Sequence, residues 1–539
     1  MKRSDKGSFM GLPLNKKVTL PSLIIIALIL AFTVLVGAKN NQVFEDIQRI
    51  VSTHTGWIFI LIINFILAFC IYIIFSRYGK IRLGGKDCEP EFSKKAWIAM
   101  LFSAGMGIGL LFFGVAEPMI HFTANPRTIG ATEAHAAQTA MSFTFLHWGL
   151  HGWALYALVG GALAYFSFNK KQPLALRSAF FPIFGNRIYG NLGNVIDTTA
   201  LIATLFGIAT SLGYGVLQFT SGLEYLYGVE NTMLVQVISI VVIMSIATLS
   251  VYSGINKGVK ILSSWNMRIA LILLLLVVVF GSTTYIFKSY IQNIGHYFSN
   301  FLELSLWSES YLGLHEDSLW QNSWTIYYWS WWCSWSPFVG LFIARISKGR
   351  TLREFFSYVV FAPSFLTFFW MTAFGGTAIN LDIMGDHSIS EAIVDNIGTA
   401  IYVFLENYPL PIIISSVALV LIVSFFVTSA DSGALVVDLL ASGGRQKTSK
   451  IQKVFWSSLI GVLTIVLTVY GGIKSLQTMV LLSGLPFAIL LFLMAISLYK
   501  DLKRTLDKQQ KKHKRITNEK NRVETINDVL EAIKNDEED

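Results

Sequence analysis

The chain has 539 residues, of which 53% are hydrophobic, 14% aromatic and only 14% charged. Because soluble proteins average roughly 25% charged residues, this composition excludes a string of soluble domains and indicates a membrane protein. The net charge of +9 belongs to no soluble basic module, so we predict no nucleic-acid partner. The three cysteines, Cys70, Cys88 and Cys333, show no spacing typical of a disulfide framework or a zinc site.

Twelve apolar segments follow one another along the sequence, each long enough to cross a bilayer as a helix. They lie near residues 20–37, 56–75, 97–116, 138–166, 194–219, 233–252, 262–287, 323–344, 354–374, 409–430, 454–472 and 476–499. The first begins after a polar arm at residues 1–18 and lacks a small-residue cleavage site, so we interpret it as a membrane helix rather than a signal peptide. We therefore predict an all-α polytopic membrane protein with 12 transmembrane helices.

Basic residues alternate strongly between the loops, and this alternation predicts the orientation of the chain. If both termini are cytoplasmic, the six outer loops hold only five of the 42 Lys and Arg residues: Lys39, Arg49, Arg127, Lys288 and Lys474. Cytoplasmic loops are enriched in Lys and Arg. The pattern therefore predicts a multi-pass protein of the plasma membrane with both ends inside the cell.

Three alternating glycines, Gly105, Gly107 and Gly109, stand about ten residues into the third predicted helix. Glycine costs about 1 kcal/mol relative to alanine inside a helix, so a cluster at this depth needs a reason. One interpretation is a helix break whose freed carbonyls coordinate a cation. The other, which the spacing alone favours, is close packing between helices. A phosphate-binding loop is excluded because no strand precedes the glycines.

Aromatic residues in the fourth and eighth predicted helices lie deep in their segments, away from the interfacial belts where membrane tryptophans usually sit. On an ideal helix, three residues of each segment fall within an arc of about 100–140°: Trp148, Trp153 and Tyr156 in the fourth, and Trp331, Trp332 and Trp335 in the eighth. Two aromatic faces at one depth can enclose a quaternary ammonium by cation–π attraction. The alternative is a bulky packing seam between helices.

The fourth helix also carries His147 and His151, which share one helix face at a spacing that suits a metal ion. No third Cys, Asp or Glu ligand is evident at similar depth in the same or a partner segment, so we interpret both as core histidines. No pairing of a nucleophile with a base is evident either, and we predict that the protein is not an enzyme.

Phe425, Thr428 and Ser429 stand toward the cytoplasmic third of the tenth predicted helix. Hydroxyl side chains in helices commonly bond the carbonyl four residues earlier, which is one interpretation of this pair. The functional interpretation is ligation of sodium, a hard cation that takes hydroxyl and carbonyl oxygens as ligands.

The last segment, residues 501–539, is predicted to be a charged cytoplasmic tail. It contains a basic run followed by apolar residues at helical spacing: Lys508, Lys511, Lys512, Lys514 and Arg515, then Val523, Ile526, Leu530 and Ile533. The tail is either a solvated helix or an arm that contacts anionic lipid, where each basic residue near the surface contributes on the order of 1 kcal/mol.

Three stretches of the sequence form specific motifs: Ser103-Ala-Gly-Met-Gly-Ile-Gly-Leu-Leu-Phe-Phe-Gly-Val-Ala-Glu-Pro118, Trp148-Gly-Leu-His-Gly-Trp-Ala-Leu-Tyr156 and Trp329-Ser-Trp-Trp-Cys-Ser-Trp-Ser-Pro337. Together they resemble the signatures of the betaine/choline/carnitine transporter family, and the resemblance covers roughly residues 15–500. It implies two LeuT-type inverted five-helix repeats, at 97–287 and 322–500. Two peripheral helices at 19–76 would precede them, and an extracellular connection at 288–321 would join them.

The resemblance also assigns roles to individual residues. The substrate site it implies is lined by Trp148, Trp153, Tyr156, Trp331, Trp332, Trp335 and Met106. The sodium site it implies consists of Ser103, Met106, Phe425, Thr428 and Ser429. A second sodium site would involve Phe338 and hydroxyls of the fifth helix, with Thr204, Thr210 and Ser211 as candidates. Sodium ions are thus the implied coupling ions, without another metal or a cofactor, and a homotrimer is the implied assembly.

Two absences narrow the function that the resemblance implies. Sodium-independent carnitine exchangers of the family carry an arginine in the fifth helix, whereas residues 195–220 contain no Arg or Lys. Proton-coupled choline transporters tend to carry an acid at the position of Gly109. A site without that acid suits a zwitterion, which brings its own carboxylate.

We therefore expect sodium-coupled import of glycine betaine, or of a related quaternary-ammonium compatible solute, for osmoprotection. Uptake of choline or carnitine is the alternative within transport. A solute-binding membrane receptor that does not transport is the alternative from another class.

Overall fold

The computed structural model describes residues 14–537, except 38, 41, 106, 254–255, 312–319, 386 and 446–447. Over these residues the fold is helical, with one isolated β-bridge between Arg82 and Thr351. Eight of the described helices are long and apolar enough to cross a membrane. The predicted class, an all-α polytopic membrane protein, is therefore confirmed.

The first part of the chain forms four helices: α1 (Lys16–Phe32), α2 (Gln42–Phe75), α3 (Lys94–Gly105) and α4 (Ile108–Ala124). The Asn15 side chain caps α1 by accepting a hydrogen bond from the Lys17 amide at 3.2 Å, and α1 continues as a π-helical turn at Thr33–Gly37. α2 begins well before its apolar run near residue 56. Phe44, Gln48 and Ser52 are buried along one face of that extension at the spacing of a packed helix.

The next part forms α5 (Glu133–Trp148), α6 (Leu150–Ala164), α7 (Phe181–Phe184) and α8 (Asn191–Tyr227). The fourth predicted segment is therefore two helices, with a break at Gly149 (φ −104°, ψ −132°). A Cβ atom at Gly149 would lie 2.4 Å from the Phe368 ring and 2.5 Å from the Phe145 carbonyl oxygen. The break thus brings the backbone into contact with a neighbouring helix, an approach that only glycine permits.

The middle of the chain forms α9 (Met233–Ser253), α10 (Asn256–Phe280), α11 (Thr283–Ser299) and α12 (Phe301–Leu306). The seventh predicted segment reaches residue 287, but α10 ends at Phe280. A Cβ at Gly281 would lie 2.5 Å from the Val277 carbonyl oxygen and 2.9 Å from the Tyr408 hydroxyl. α11 then starts a separate helix that buries only Ile286, Asn293 and Tyr297.

The last part contains eight helices: α13 (Trp320–Ser323), α14 (Thr325–Ile346), α15 (Leu352–Met371), α16 (Thr377–Met384), α17 (Ser388–Asp395), α18 (Ala400–Leu405), α19 (Pro411–Ala441) and α20 (Lys450–Glu537). Gly472 interrupts α20 with non-helical angles (φ 61°, ψ −170°), between the eleventh and twelfth predicted segments. The part of α20 beyond Gly472 continues as one helix into the tail.

Short helical turns connect these elements: 3₁₀ turns at Arg77–Lys80, Pro126–Thr128, Leu176–Phe180, Gly185–Tyr189 and Ile397–Thr399, and π turns at Tyr165–Asn169 and Thr372–Gly376. α14 lies at the centre of the packing, since it contacts α6, α8 and α20, while α19 packs against α8. The helices that carry the aromatic and hydroxyl candidates therefore meet in the interior.

Candidate functional site

A cavity of about 280 Å³ lies between α4, α5, α6, α8, α14 and α19. Its lining brings together residues from three of the sequence motifs and from α19. They include the aromatic candidates Trp148, Tyr156, Trp331, Trp332 and Trp335, the sodium candidates Phe338, Phe425, Thr428 and Ser429, and the glycines Gly107 and Gly109. Residues far apart in sequence thus converge on one space that can hold a small solute.

The aromatic rings at one end of this cavity form a stacked pair with two further rings that stand nearly perpendicular to it. Trp331 and Trp332 are stacked, with centroids 5.4 Å apart and planes 8° from parallel. The Trp148 ring stands across both, at 6.3 Å and 84° from Trp331 and at 5.1 Å and 80° from Trp332. Tyr156 meets Trp332 edge-on at 5.9 Å. Indole faces attract a cation within about 6 Å of the ring centroid, so this group can bind a cationic head group.

Hydrogen bonds hold three of the indoles in place. The Trp332 Nε1–H donates to the His147 carbonyl at 2.7 Å, the Trp335 Nε1–H to the Ser211 hydroxyl at 2.8 Å, and the Trp148 Nε1–H to Glu117 Oε2 at 2.5 Å. Each bond uses the edge of the ring rather than its face. The rings are therefore oriented before any solute binds, which reduces the entropy lost on binding.

Glycines allow the helices to approach these rings closely. A Cβ atom at Gly109 would lie 2.7 Å from Trp148 and 3.4 Å from Trp331, and one at Gly152 would lie 3.1 Å from Trp332. Gly109 thus serves the close packing that its spacing favours. α3 ends at Gly105 and α4 begins at Ile108, and Gly107 before α4 is extended (φ −163°, ψ −158°) and lines the cavity. The close-packing interpretation therefore holds for Gly109, whereas cation coordination by carbonyls near Gly107 stays a prediction.

Two of the predicted site residues cannot be placed. Met106 lies outside the described residues, and so does the side chain of Ser103. The substrate and sodium contacts that the resemblance assigns to them remain predictions.

Trp153 is not part of the main cavity wall. It lines a small adjoining space with Leu110, Gly152 and Thr367, and its ring meets Tyr156 edge-on at 5.5 Å. The sequence prediction treated residues 138–166 as one straight helix. The break at Gly149 separates Trp148 from the helix that carries Trp153 and Tyr156, yet all three residues line this adjoining space together with Trp332.

The hydroxyl candidates have two kinds of surroundings. Thr428 donates locally to the carbonyls of Ser424 or Phe425, both at 3.1 Å, and also lines the cavity. Of the fifth-helix candidates, Ser211 alone lines it. Thr204 bonds the Ala200 carbonyl at 2.7 Å, and Thr210 bonds the Leu476 carbonyl at 3.2 Å. Ser211 is therefore the fifth-helix hydroxyl positioned to face a bound solute or ion.

A buried carboxylate lies directly behind the aromatic wall. Glu117 is 0% exposed. Its Oε1 is 2.7 Å from His147 Nδ1 and 3.2 Å from His121 Nε2, and its Oε2 accepts from Trp148 and from the Tyr328 hydroxyl. The expectation that no third ligand lies near His147 is therefore wrong. The ligand atoms of Glu117, His121 and His147 lie within 4.8 Å of one another and could hold a metal ion. His151 is separate and contacts Asn64 Oδ1 at 3.2 Å.

The sequence contained a signal for this cluster that the prediction did not use. Glu117 belongs to the third-helix motif, and an ionisable residue inside a membrane helix is a functional candidate by default. Contacts among Glu117 on α4, His147 on α5 and Tyr328 on α14 depend on how the helices pack, which helical periodicity does not reveal.

Arg345 is a second residue that the prediction missed. Among the described residues that line the cavity, Arg345 alone carries a charge. It stands near the end of α14, roughly 20 Å along the helix from Trp332 at 1.5 Å per residue. The end of the cavity near Arg345 is therefore basic, while its aromatic end is backed by Glu117.

The sequence is similar to those of known membrane transporters. A sequence model of the BCCT, betaine/carnitine/choline family transporter, matches residues 17–507. The glycine betaine transporter OpuD of Bacillus subtilis (strain 168) is 41% identical over 463 residues, which is 86% of this chain and 89% of that protein. A glycine betaine/proline/choline transporter of Vibrio parahaemolyticus is 41% identical over 510 residues, 91% of each chain. An osmo-dependent choline transporter of Acinetobacter baylyi is 41% identical over 497 residues, 91% of this chain and 71% of that one.

Proposed function

The chain belongs to the betaine/carnitine/choline transporter family, and from that premise we propose that it imports glycine betaine, or a related quaternary-ammonium compatible solute, together with sodium. The observation that carries the proposal is the central cavity walled by Trp148, Tyr156, Trp331, Trp332 and Trp335. Accumulating such a solute would protect the cell against osmotic stress.

The chemistry of the wall fits this solute class. A quaternary ammonium has no N–H to donate, so ring faces rather than hydrogen-bond acceptors must recognise it. Each indole face contributes about 0.5–1 kcal/mol when exposed and 2 kcal/mol or more when desolvated. The relatives named for glycine betaine, proline and choline support the same class. Choline or carnitine is the alternative solute.

Sodium coupling is proposed from the oxygen atoms near the helix break. Gly107 lies at the break, and Phe425, Thr428 and Ser429 lie on α19 across the same cavity. Free carbonyls of a broken helix together with hydroxyls make a set of hard ligands suited to sodium. Phe338 and Ser211 also line the cavity and are proposed to belong to a second sodium site.

The proposed architecture has twelve transmembrane helices with both termini in the cytoplasm. Its support is that every one of the twelve apolar segments falls largely within described helices. The eight long apolar helices count α20 once, although Gly472 divides it. α14 and the broken pairs α3–α4 and α5–α6 supply the other segments. We retain the inverted repeats at 97–287 and 322–500, the peripheral helices at 19–76 and the extracellular connection at 288–321 as part of this proposal.

Two further partners belong to the proposal. Anionic lipid would contact the basic tail beyond residue 501, whose described side chains from 508 to 530 are exposed. A homotrimer is the assembly that the family resemblance implies. Mass measurement of the purified protein in detergent tests the assembly directly.

Uptake into proteoliposomes tests the function. Purified full-length protein is reconstituted, and accumulation of labelled glycine betaine, choline and carnitine is measured with an inward sodium gradient or with potassium in its place. We expect concentrative glycine betaine uptake in sodium alone. Binding without accumulation would favour the receptor, and undiminished uptake driven by a proton gradient in sodium-free buffer would contradict sodium coupling.

The sodium ligands are tested in the same assay. Thr428→Ala and Ser429→Ala are expected to raise the sodium concentration that gives half-maximal uptake, because each removes one candidate ligand oxygen. The matched control is Ser416→Ala, a hydroxyl on the same helix that does not line the cavity and bonds Tyr227. An unchanged sodium dependence in both α19 variants would remove these hydroxyls from the site.

A further inference from the structure

The Glu117 carboxylate is buried without a lysine or arginine partner among the described residues. Among the described residues, its polar neighbours are His121, His147, Trp148 and Tyr328, and no Lys or Arg forms an ion pair with it. A charge in such a place is expensive unless it is paired or serves a ligand. A positive group from outside this set is therefore needed to balance the negative charge of Glu117.

The hydrogen bonds indicate an ionised carboxylate beside a neutral His121. Trp148 Nε1 and the Tyr328 hydroxyl donate to Oε2, and an indole N–H is a donor only. His147 Nδ1 donates to Oε1 while its Nε2 faces the Thr325 hydroxyl at 2.9 Å. His121 Nδ1 is buried with no partner among the described residues. A protonated His121 ring would leave an unsatisfied N–H there.

Only one layer of rings separates this carboxylate from the cavity. Trp148 both donates to Glu117 and lines the cavity. The Tyr328 ring lies 5.9 Å from Trp331 and 6.0 Å from Trp332. The negative charge therefore lies behind the ring faces that would receive a cationic head group. In an interior of low dielectric constant, the attraction between the two charges stays strong over this separation.

We infer that Glu117 is the counter-ion of the transported quaternary ammonium. Its charge attracts the head group through the wall, and its hydrogen bond to the Trp148 N–H makes that ring face more electron-rich. The residue acts on the ammonium end, which glycine betaine and choline share, and so favours the whole solute class. The inference rests on the proposed function and adds a charged residue to its binding site.

The test compares two ligands of the same shape. Glycine betaine and 3,3-dimethylbutanoate differ by one atom, since the positive nitrogen of the first is a neutral carbon in the second. Equilibrium binding of labelled glycine betaine, and its displacement by the carbon analogue, is measured at fixed high sodium on purified full-length protein. The variants are Glu117→Gln, which removes the charge, and Glu224→Gln, a matched change at an exposed carboxylate at the far end of α8.

In Glu117→Gln we expect glycine betaine to bind about tenfold or more weakly, and the carbon analogue to bind as before or better. E224Q should leave both unchanged. Equal weakening of both ligands in E117Q would mean that Glu117 only shapes the wall, and unchanged betaine affinity would also overturn the inference. Failure of the unmodified protein to bind glycine betaine would instead contradict the proposed function.

A second variant keeps the inference testable if E117Q does not fold, as judged by gel filtration. His121→Lys leaves Glu117 in place and supplies an internal ammonium beside it. Betaine affinity is expected to fall about tenfold while the affinity for the carbon analogue does not. Unchanged betaine affinity in a folded H121K protein would contradict the counter-ion role.

Discussion

The two tryptophans Trp332 and Trp335 are anchored to different parts of the protein. Trp332 donates to the His147 carbonyl on α5, whereas Trp335 donates to Ser211 and to the Gly207 carbonyl on α8. Trp332 also stacks on Trp331, while Trp335 meets Phe338 edge-on at 4.9 Å. The aromatic wall is thus fixed from two sides of α14, and each ring can be removed separately.

We expect Trp332→Ala or Trp335→Ala to weaken glycine betaine binding at least about tenfold. Loss of one desolvated ring face removes about 1.4 kcal/mol or more of cation–π attraction. Equilibrium binding of labelled betaine measures the change, and gel filtration checks folding. Trp57→Ala is the control, because Trp57 on α2 is 58% exposed. If both cavity variants keep their affinity, the rings are packing elements rather than a binding wall.

Glu309 provides a pH-dependent prediction outside the membrane-spanning helices. It is 7% exposed, and its Oε2 accepts the Gln321 backbone N–H at 3.0 Å. Burial raises the pKa of Glu309 to about 7. At pH values between the ordinary pKa of 4.5 and this raised value, Glu309 is protonated in the folded state and ionised in the unfolded state. The free energy of unfolding therefore falls as pH rises from about 4.5 to 7, by about 1–3 kcal/mol.

Glu309→Gln should remove this fall. Thermal unfolding of both proteins in detergent, followed from pH 5 to pH 8, tests the prediction. The Tm of the variant is expected to rise relative to that of the unmodified protein as pH increases. Parallel Tm curves across this range would show that the carboxyl group is not held in its protonated form.

At the scale of whole elements, periodicity predicted the helices better than their interruptions. The apolar runs correspond to α1, α2, α8, α9 and α19 because long apolar segments have few alternatives in a membrane. The arc that joins Trp331, Trp332 and Trp335 also holds, since α14 continues through all three residues. The Gly149 break and the end of α10 at Phe280 were not predicted, because both depend on rings or hydroxyls from other helices.

The residues of the candidate site fall into the same two groups, those that a single segment reveals and those that depend on how the helices pack. Its aromatic faces and α19 hydroxyls could be read from single segments and motifs. Tyr328 and Arg345 could not, because their positions relative to the cavity depend on how the helices pack. Glu117 could be recognised as an ionisable residue in a membrane helix, but its contacts with His147 and Tyr328 could not.

The break at Gly149 gives a prediction at this scale. Gly149→Ala should destabilise the protein by about 1–3 kcal/mol, because the new methyl group would overlap the Phe368 ring and the Phe145 carbonyl. It should also weaken betaine binding, since Trp148 is the adjacent residue. Gly295→Ala in α11 is the matched control. No atom lies within 4 Å of a Cβ there, and alanine is the better helix former.

Thermal unfolding in detergent and betaine binding measure both variants. We expect G295A to melt at or above the Tm of the unmodified protein and G149A to melt several degrees below it. Equal melting temperatures for the two variants would mean that α5 and α6 tolerate a side chain at the break, and that the close approach to α15 is not required.

At the scale of the whole molecule, the described part of the tail beyond residue 507 does not pack against the other helices. Its root is anchored, because Asp501 accepts from the Tyr165 hydroxyl at 2.8 Å and pairs with Lys170 at 2.6 Å. Leu502 is buried and Thr505 bonds the same tyrosine. Beyond residue 507 the described side chains are exposed. The helix therefore leaves the bundle at a fixed position, and its basic run lies outside the bundle.

We expect this exposed helix to respond to internal salt. Attraction between its basic residues and an anionic leaflet is screened over about 8 Å at physiological ionic strength and over less as salt rises. Water loss under osmotic stress concentrates internal ions, so the helix should then loosen from lipid, and uptake should rise when solute is needed. Deleting residues 508–539 keeps the anchored start of the tail and removes the whole basic run. Uptake in anionic proteoliposomes is measured against internal potassium. The full chain should be activated as potassium rises, and the truncated chain should be insensitive. An identical activation curve in both proteins would exclude the tail as the sensor.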